Sequence, residues 1–226
     1  MTDRAPSNNA ALIQWVQEAA LLCGAKEVVW CDGSEEEKER LTRLAIQSGE
    51  VEALDPVKWP GCLYARSTEN DVARVEQLTY ICTRSKEDAG NTNNWMDPKE
   101  AYQKLSEIFK DSMKGRTMYV VPYIMGIPKS PFNKIGIEIT DSIYVVLNMR
   151  IMTRMGKVAL QELGAEGKFT RGLHGKADLD DHHRFICHFP EDNTIWSVGS
   201  NYGGNVLLGK KCLELRIASW LGNQEG

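Results

Sequence analysis

Two strand-like runs, Arg184 to Phe189 and Thr194 to Val198, stand only a short turn apart at Glu191-Asp192-Asn193. That spacing constrains the fold more than any other feature of the chain. Strands joined so closely pair antiparallel, because parallel neighbours need a crossover of about a dozen residues or more. The sheet that holds them cannot be all parallel. The second run then leads into Gly199 to Cys212, G-S-N-Y-G-G-N-V-L-L-G-K-K-C, and on into the apolar, helix-compatible stretch Leu213 to Leu221. A strand, a glycine-rich loop and a helix follow one another. Such a loop brings backbone N–H groups close to an anion, because glycine has no Cβ to block the approach.

Inside the loop, Gly204 to Lys211 spells G-x-x-x-x-G-K-K, one residue short of a P-loop. That reading fails on three counts. The residue after the lysine must offer a hydroxyl to Mg²⁺, and here it is Lys211. Val206, Leu207 and Leu208 are bulky for a phosphate cradle. Only fifteen residues follow Lys211, so a strand carrying a second metal carboxylate would have to precede the loop. A formal net charge of −4 leaves no basic stripe to neutralise phosphates, which argues against nucleic-acid or membrane-surface binding. The apolar run Thr117 to Pro128 is too short to span a bilayer. Met1 to Ala10 lacks a signal core, so a cytoplasmic protein is expected. The six cysteines, Cys23, Cys31, Cys62, Cys82, Cys187 and Cys212, show no C-x-x-C spacing. They read as reduced structural thiols rather than zinc ligands or disulfides.

Elsewhere helices and strands interleave. Leu12, Trp15, Val16 and Ala19 predict a helix over Asn9 to Cys23. A strand is expected at Val28 to Cys31, a turn at Asp32-Gly33, and a helix to Gly49 with Ser34 and Glu37 as its capping box. Further strands are expected at Cys62 to Ala65 and Leu78 to Thr83. Pro98 to Lys114 reads as a helix ended by Gly115. Thr117 to Ile124 and Ile135 to Ile139 read as strands, and Asp141 as the cap of a helix through about Met155. Arg150 and Arg154 then face together and are expected in ion pairs. The whole of residues 1–226 reads as one α/β domain, a mixed sheet flanked by helices on both faces.

Three segments together resemble the GTP-dependent phosphoenolpyruvate carboxykinase family. They are Arg116 to Gly126 (R-T-M-Y-V-V-P-Y-I-M-G), the 22 residues Ile135 to Gly156 (I-G-I-E-I-T-D-S-I-Y-V-V-L-N-M-R-I-M-T-R-M-G), and Y-G-G-N-V-L-L-G-K-K-C followed by Leu215 to Ser219. Weaker matches stand upstream at Asp71 to Glu76 and Asn93 to Trp95. The chain is similar to the N-terminal domain alone. It stops at Glu225-Gly226, where the family pattern goes on to W-x-x-E-H, whose histidine is a metal ligand. The family's nucleotide loop, metal-binding aspartate and guanine pocket lie in the other half. Asn201 and Glu214 depart from the pattern, and Thr170 to His183 matches poorly.

The resemblance implies the reaction of oxaloacetate and GTP to phosphoenolpyruvate, CO2 and GDP. Arg74 resembles the family's substrate arginine, with a fork that takes a carboxylate bidentately; otherwise it is a surface partner of Asp71. Tyr202, Gly203 and Gly204 resemble the substrate loop. The glycines free backbone donors, and the positive edge of the Tyr202 ring can face a carboxylate; otherwise they form a tight strand-to-helix turn. Lys211 resembles the family's lysine metal ligand, which implies Mn²⁺, with Mg²⁺ as a second, nucleotide-bound ion. Asp178, Asp180, Asp181, His182 and His183 match a metal site in residue type but lack regular spacing, and are not expected to bind one. No residue of this chain is expected to be catalytic, and the 226 residues alone are expected to be inactive and monomeric. The alternative is a non-catalytic carboxylate-binding module.

Overall fold

The computed structural model describes residues 5–66, 76–91, 93–176, 183–200 and 222–224. The chain starts with helix α1 (Ala10–Cys23), capped by Asn9, whose side chain accepts the Leu12 N–H at 3.0 Å. Leu12, Trp15, Val16 and Ala19 form its buried stripe, and Gly24 ends it in the left-handed conformation. Strand β1 (Glu27–Trp30) leads to α2 (Glu35–Gln47). An antiparallel pair of two-residue strands, β2 (Glu52–Ala53) with β3 (Leu63–Tyr64), stands apart as its own sheet. Then come β4 (Thr79–Ile81), β5 (Asn94–Trp95), α3 (Pro98–Phe109), β6 (Thr117–Met125), β7 (Lys134–Thr140) and α4 (Ile143–Met152). Last are β8 (Arg154–Met155), α5 (Lys157–Leu163), β9 (Thr170–Gly175), β10 (Phe185–Phe189) and β11 (Thr194–Val198).

Among the described residues nine strands form one sheet in the order β1-β6-β7-β9-β11-β10-β4-β5, with β8 beside β6. The expected hairpin is there: β10 and β11 run antiparallel, Phe185 opposite Val198 and Phe189 opposite Thr194. β6 and β7 are also antiparallel, whereas β1 with β6, β7 with β9, β9 with β11 and β10 with β4 are parallel. The sheet is mixed. Alternate residues sort its two faces. On one, Met118, Val120, Ile137, Ile139, Leu173, Cys187 and Phe189 pack against α1, α3 and α5. On the other, Tyr119, Val121, Tyr123, Ile186 and Ile195 cluster with side chains of α2 and α4.

Several expected boundaries are corrected. α3 stops at Phe109, five residues short of Lys114. Asp111 turns to φ 58°, and the N–H groups of Asp111 and Met113 bond instead to the Leu22 and Cys23 carbonyls at the end of α1. The cap of α4 is Ser142, not Asp141, and its hydroxyl accepts the Val145 N–H. That helix ends at Met152, because Arg154 and Met155 pair with β6 as β8. Arg154 therefore lies off the helix and bonds to the Gly126 carbonyl, while Arg150 pairs with Glu35 at 2.5 Å. Ser34 caps α2 as expected, but the Glu37 carboxylate accepts the Asp32 and Gly33 N–H groups rather than that of Ser34. β9 and α5 were not expected. Four cysteines, Cys23, Cys31, Cys82 and Cys187, are buried free thiols, and Cys62 is exposed. Among the described residues no helix is long and apolar enough to cross a membrane.

Candidate functional site

The residues singled out in the sequence, Arg74, Tyr202, Gly203, Gly204 and Lys211, lie outside the described residues, as do Asp178, Asp180, Asp181 and His182. His183 is described, and is exposed. Strand direction nonetheless says where the described chain enters and leaves these stretches. β9 and β11 are parallel, so Lys176 and Ser200 leave at the same edge of the sheet. β10 is antiparallel to β11 and β4 parallel to β10, so Arg184 and the turn Glu76–Leu78 enter at that edge too. The approaches to Arg74 and Tyr202, far apart in sequence, share one border of the sheet.

That border is built from buried polar side chains. The Asp141 carboxylate, its side chain fully buried, takes an ion pair from Arg116 at 2.8 Å through one oxygen and the Lys176 N–H at 2.7 Å through the other. It ties the start of β6 to the end of β9. Ser142 donates its hydroxyl to Glu50 at 2.8 Å, and the same carboxylate oxygen accepts the Tyr144 N–H at 3.1 Å. A carboxylate at a helix start satisfies orphan donors and complements the positive end of the dipole. Asp141 was released from capping α4 because Ser142 and Glu50 perform that work.

The exit of β11 is held most closely. Gly199 has φ 80°, a conformation glycine adopts without strain, and its N–H bonds to the Gly175 carbonyl at 3.0 Å. Arg184 Nε donates to the Gly199 carbonyl at 3.0 Å. His174 Nε2 lies 2.6 Å from the Ser200 carbonyl, while its Nδ1 is 2.7 Å from Thr140 Oγ1. Thr140 Oγ1 accepts the Ser142 N–H at 3.1 Å. Thr140, Ser142 and His174 are wholly buried, and Arg184 and Ser200 are 3% exposed. Sequence reasoning missed Thr140, His174 and Arg184. A buried histidine or threonine has no periodic signature, since its partners come from other strands. The one local signal was Gly199-Ser200 directly after an apolar strand.

Chemically, the border fixes backbone direction. Among the described residues no group of three or more histidines, cysteines, aspartates or glutamates comes together as a metal site. What the described part offers is a hydrogen-bonded rim from which the chain departs after Lys176 and Ser200.

The match to known proteins runs through this same architecture. The family described as "Phosphoenolpyruvate carboxykinase N-terminal domain" matches residues 14–223. A protein named "Phosphoenolpyruvate carboxykinase [GTP]" from Anaeromyxobacter sp. (strain K) is 65% identical over 221 residues, covering 98% of this chain and 37% of the relative. Relatives of the same name from Corynebacterium jeikeium (strain K411) and Chlamydia muridarum (strain MoPn / Nigg) are 48% and 47% identical, over 100% and 96% of this chain and 39% and 38% of their own. The chain thus spans 37–39% of the length of these curated relatives. With a match that runs from the middle of α1 to beyond β11 and takes in the whole mixed sheet, this chain belongs to the phosphoenolpyruvate carboxykinase N-terminal domain family.

Proposed function

We propose that residues 1–226 form the substrate-binding N-terminal domain of a GTP-dependent phosphoenolpyruvate carboxykinase, a lyase that converts oxaloacetate and GTP to phosphoenolpyruvate, CO2 and GDP. The observation that carries this reading is identity of 65% along 98% of the chain to a protein of that name. The names of the relatives favour it over a free-standing carboxylate-binding module. In this reading GTP binds to parts of the relatives that this chain does not cover, so the 226 residues alone do not turn over. The protein is cytoplasmic and acts as a monomer.

Arg74 takes a substrate carboxylate through its planar fork. Gly203 and Gly204 present backbone N–H groups, and the positive edge of the Tyr202 ring faces the same carboxylate. Lys211 serves Mn²⁺ as a neutral amine, a nitrogen donor that suits Mn²⁺ better than oxygen-preferring Mg²⁺; Mg²⁺ stays with the nucleotide. One lysine is not a metal site, and the remaining ligands come from outside the described residues. When bound, the ion supplies positive charge for a developing enolate oxygen.

The test uses a carboxykinase of full family length that carries this domain. Arg74→Lys keeps the charge and removes the fork, and kcat/KM for oxaloacetate is expected to fall by about 2–3 kcal/mol of transition-state stabilisation. An unchanged value returns Arg74 to a surface pair with Asp71. In the same protein Lys211→Arg weakens Mn²⁺ binding although the charge is kept, and equal affinity removes Lys211 from the metal site.

A further inference from the structure

We infer that His174 is the positioning residue that fixes how the chain leaves β11 for Asn201 to Gly204, and thereby the affinity for the carboxylate substrate. This rests on the substrate-loop reading above. A backbone carbonyl only accepts, so the 2.6 Å contact with the Ser200 carbonyl requires the proton on His174 Nε2. Thr140 Oγ1 already accepts the Ser142 N–H, and its own proton satisfies His174 Nδ1 at 2.7 Å. The bonds therefore run in one direction, from the cap of α4 through the end of β7 and the end of β9 to Ser200.

The Ser200 carbonyl shares a rigid peptide plane with the bond that continues the chain. Arg184 holds the preceding carbonyl, that of Gly199, at 3.0 Å. Two consecutive carbonyls are thus oriented by side chains that are themselves buried. Tyr202 follows only two residues later. Gly203 and Gly204 have the widest backbone freedom of any residue and cannot set their own direction. Aiming N–H groups at a carboxylate needs geometry held to about half an ångström. The anchor upstream supplies what the glycines lack. His174 acts through Ser200 and touches no substrate.

The experiment compares two amide replacements in a carboxykinase of full family length that carries this domain. His174→Gln places an N–H donor near the position of Nε2, while the shorter side chain of His174→Asn cannot reach the Ser200 carbonyl. We expect His174→Asn to raise KM for oxaloacetate about tenfold with KM for GTP changed less than about twofold, and His174→Gln to recover most of the loss. Equal damage from both replacements, or KM for GTP rising in step, means a merely structural histidine and overturns the proposal. An unchanged KM for oxaloacetate in His174→Asn does the same. Should His174→Asn not fold, the nitrogen-15 resonances of the His174 ring in the unaltered 226-residue chain decide. A proton on Nε2 and none on Nδ1 supports the anchor, and the opposite tautomer overturns it. Gly203→Ala is the control for the reading beneath. If it leaves KM for oxaloacetate unchanged, the substrate loop itself is misassigned; if it raises KM while His174→Asn does not, only the anchor fails.

Discussion

His174 and Gly175 are neighbours on β9 with opposite surroundings. His174 turns to the α2 and α4 face, where it binds Thr140 and the Ser200 carbonyl. Gly175 turns to the face of α1, α3 and α5, where a Cβ would sit 2.9 Å from the ring of Phe109. The contrast extends along the sheet. One face is mostly apolar, with Thr194 and Arg171 at one end of it, and the other carries buried Glu138, Thr140, His174, His188 and Ser197 across its strands. Apolar packing is non-directional and tolerates small shifts, whereas a buried polar group must meet a partner at a fixed distance and angle. The first face stabilises the domain. The second specifies where its loops begin.

The apolar face is tested first, where the largest effect is expected. Phe109 is wholly buried and packs edge to face with Trp196, ring centroids 5.4 Å apart, joining α3 to β11. Phe109→Ala leaves a cavity that Gly175 cannot fill, and should cost about 3–5 kcal/mol of folding stability. Denaturant unfolding measures it, provided the slope stays constant. A loss below about 1 kcal/mol would mean that the helix collapses onto the sheet and that this face is looser than its packing implies.

The polar face should show a smaller loss of stability with a different signature. Thr140→Val preserves shape but removes the hydroxyl that accepts from Ser142 and donates to His174. The expected cost is about 1–3 kcal/mol, the range for stranding a buried donor or acceptor. Thr140→Ser keeps the hydroxyl and should recover most of it. If valine and serine behave alike, the hydroxyl contributes nothing and the contrast between the faces dissolves.

The same contrast explains what could be read from the sequence. Elements on the apolar face announced themselves: α1 through Leu12, Trp15, Val16 and Ala19, and the β10–β11 hairpin through apolar and β-branched runs around a short turn. β9 did not. Its sequence T-R-G-L-H-G has glycines where a strand signal wants bulk, and at Gly172 the Glu138 carboxylate occupies the place a Cβ would take. No local rule foresees a glycine chosen for a carboxylate on the next strand. The end of α3 and the cap of α4 were misplaced for a related reason. The groups that stop the one and support the Ser142 cap of the other, the carbonyls of Leu22 and Cys23 and the Glu50 carboxylate, come from distant sequence. Of the site, the family motifs were legible, but the His174–Thr140–Arg184 rim was not, since its side chains come from β7, β9 and the residue before β10.

The smallest expected effect is a change in how stability depends on pH. Cys23, on the apolar face at the end of α1, is wholly buried, and that burial pushes its thiol from the ordinary 9.0 up to about 12. Tyr119, on the opposite face, is pushed by burial from 10.0 up to about 12. In both, the folded state holds its proton longer than the unfolded chain does. Each contribution is therefore fully present below the unfolded value and is lost as pH rises through the folded one. For Cys23 the loss starts near 9.0, one unit before Tyr119 joins it at 10.0. Cys23→Ala should consequently flatten the first part of the alkaline decline, by on the order of 1 kcal/mol at about pH 10. The methyl side chain also changes packing, but that cost is the same at every pH. The difference in unfolding free energy between about pH 8 and about pH 10 isolates the titration. Parallel declines in parent and variant would mean that Cys23 does not set the early loss, which then falls to Cys31, raised by burial on the opposite face, and Cys82, raised by its hydrogen bond with Cys187.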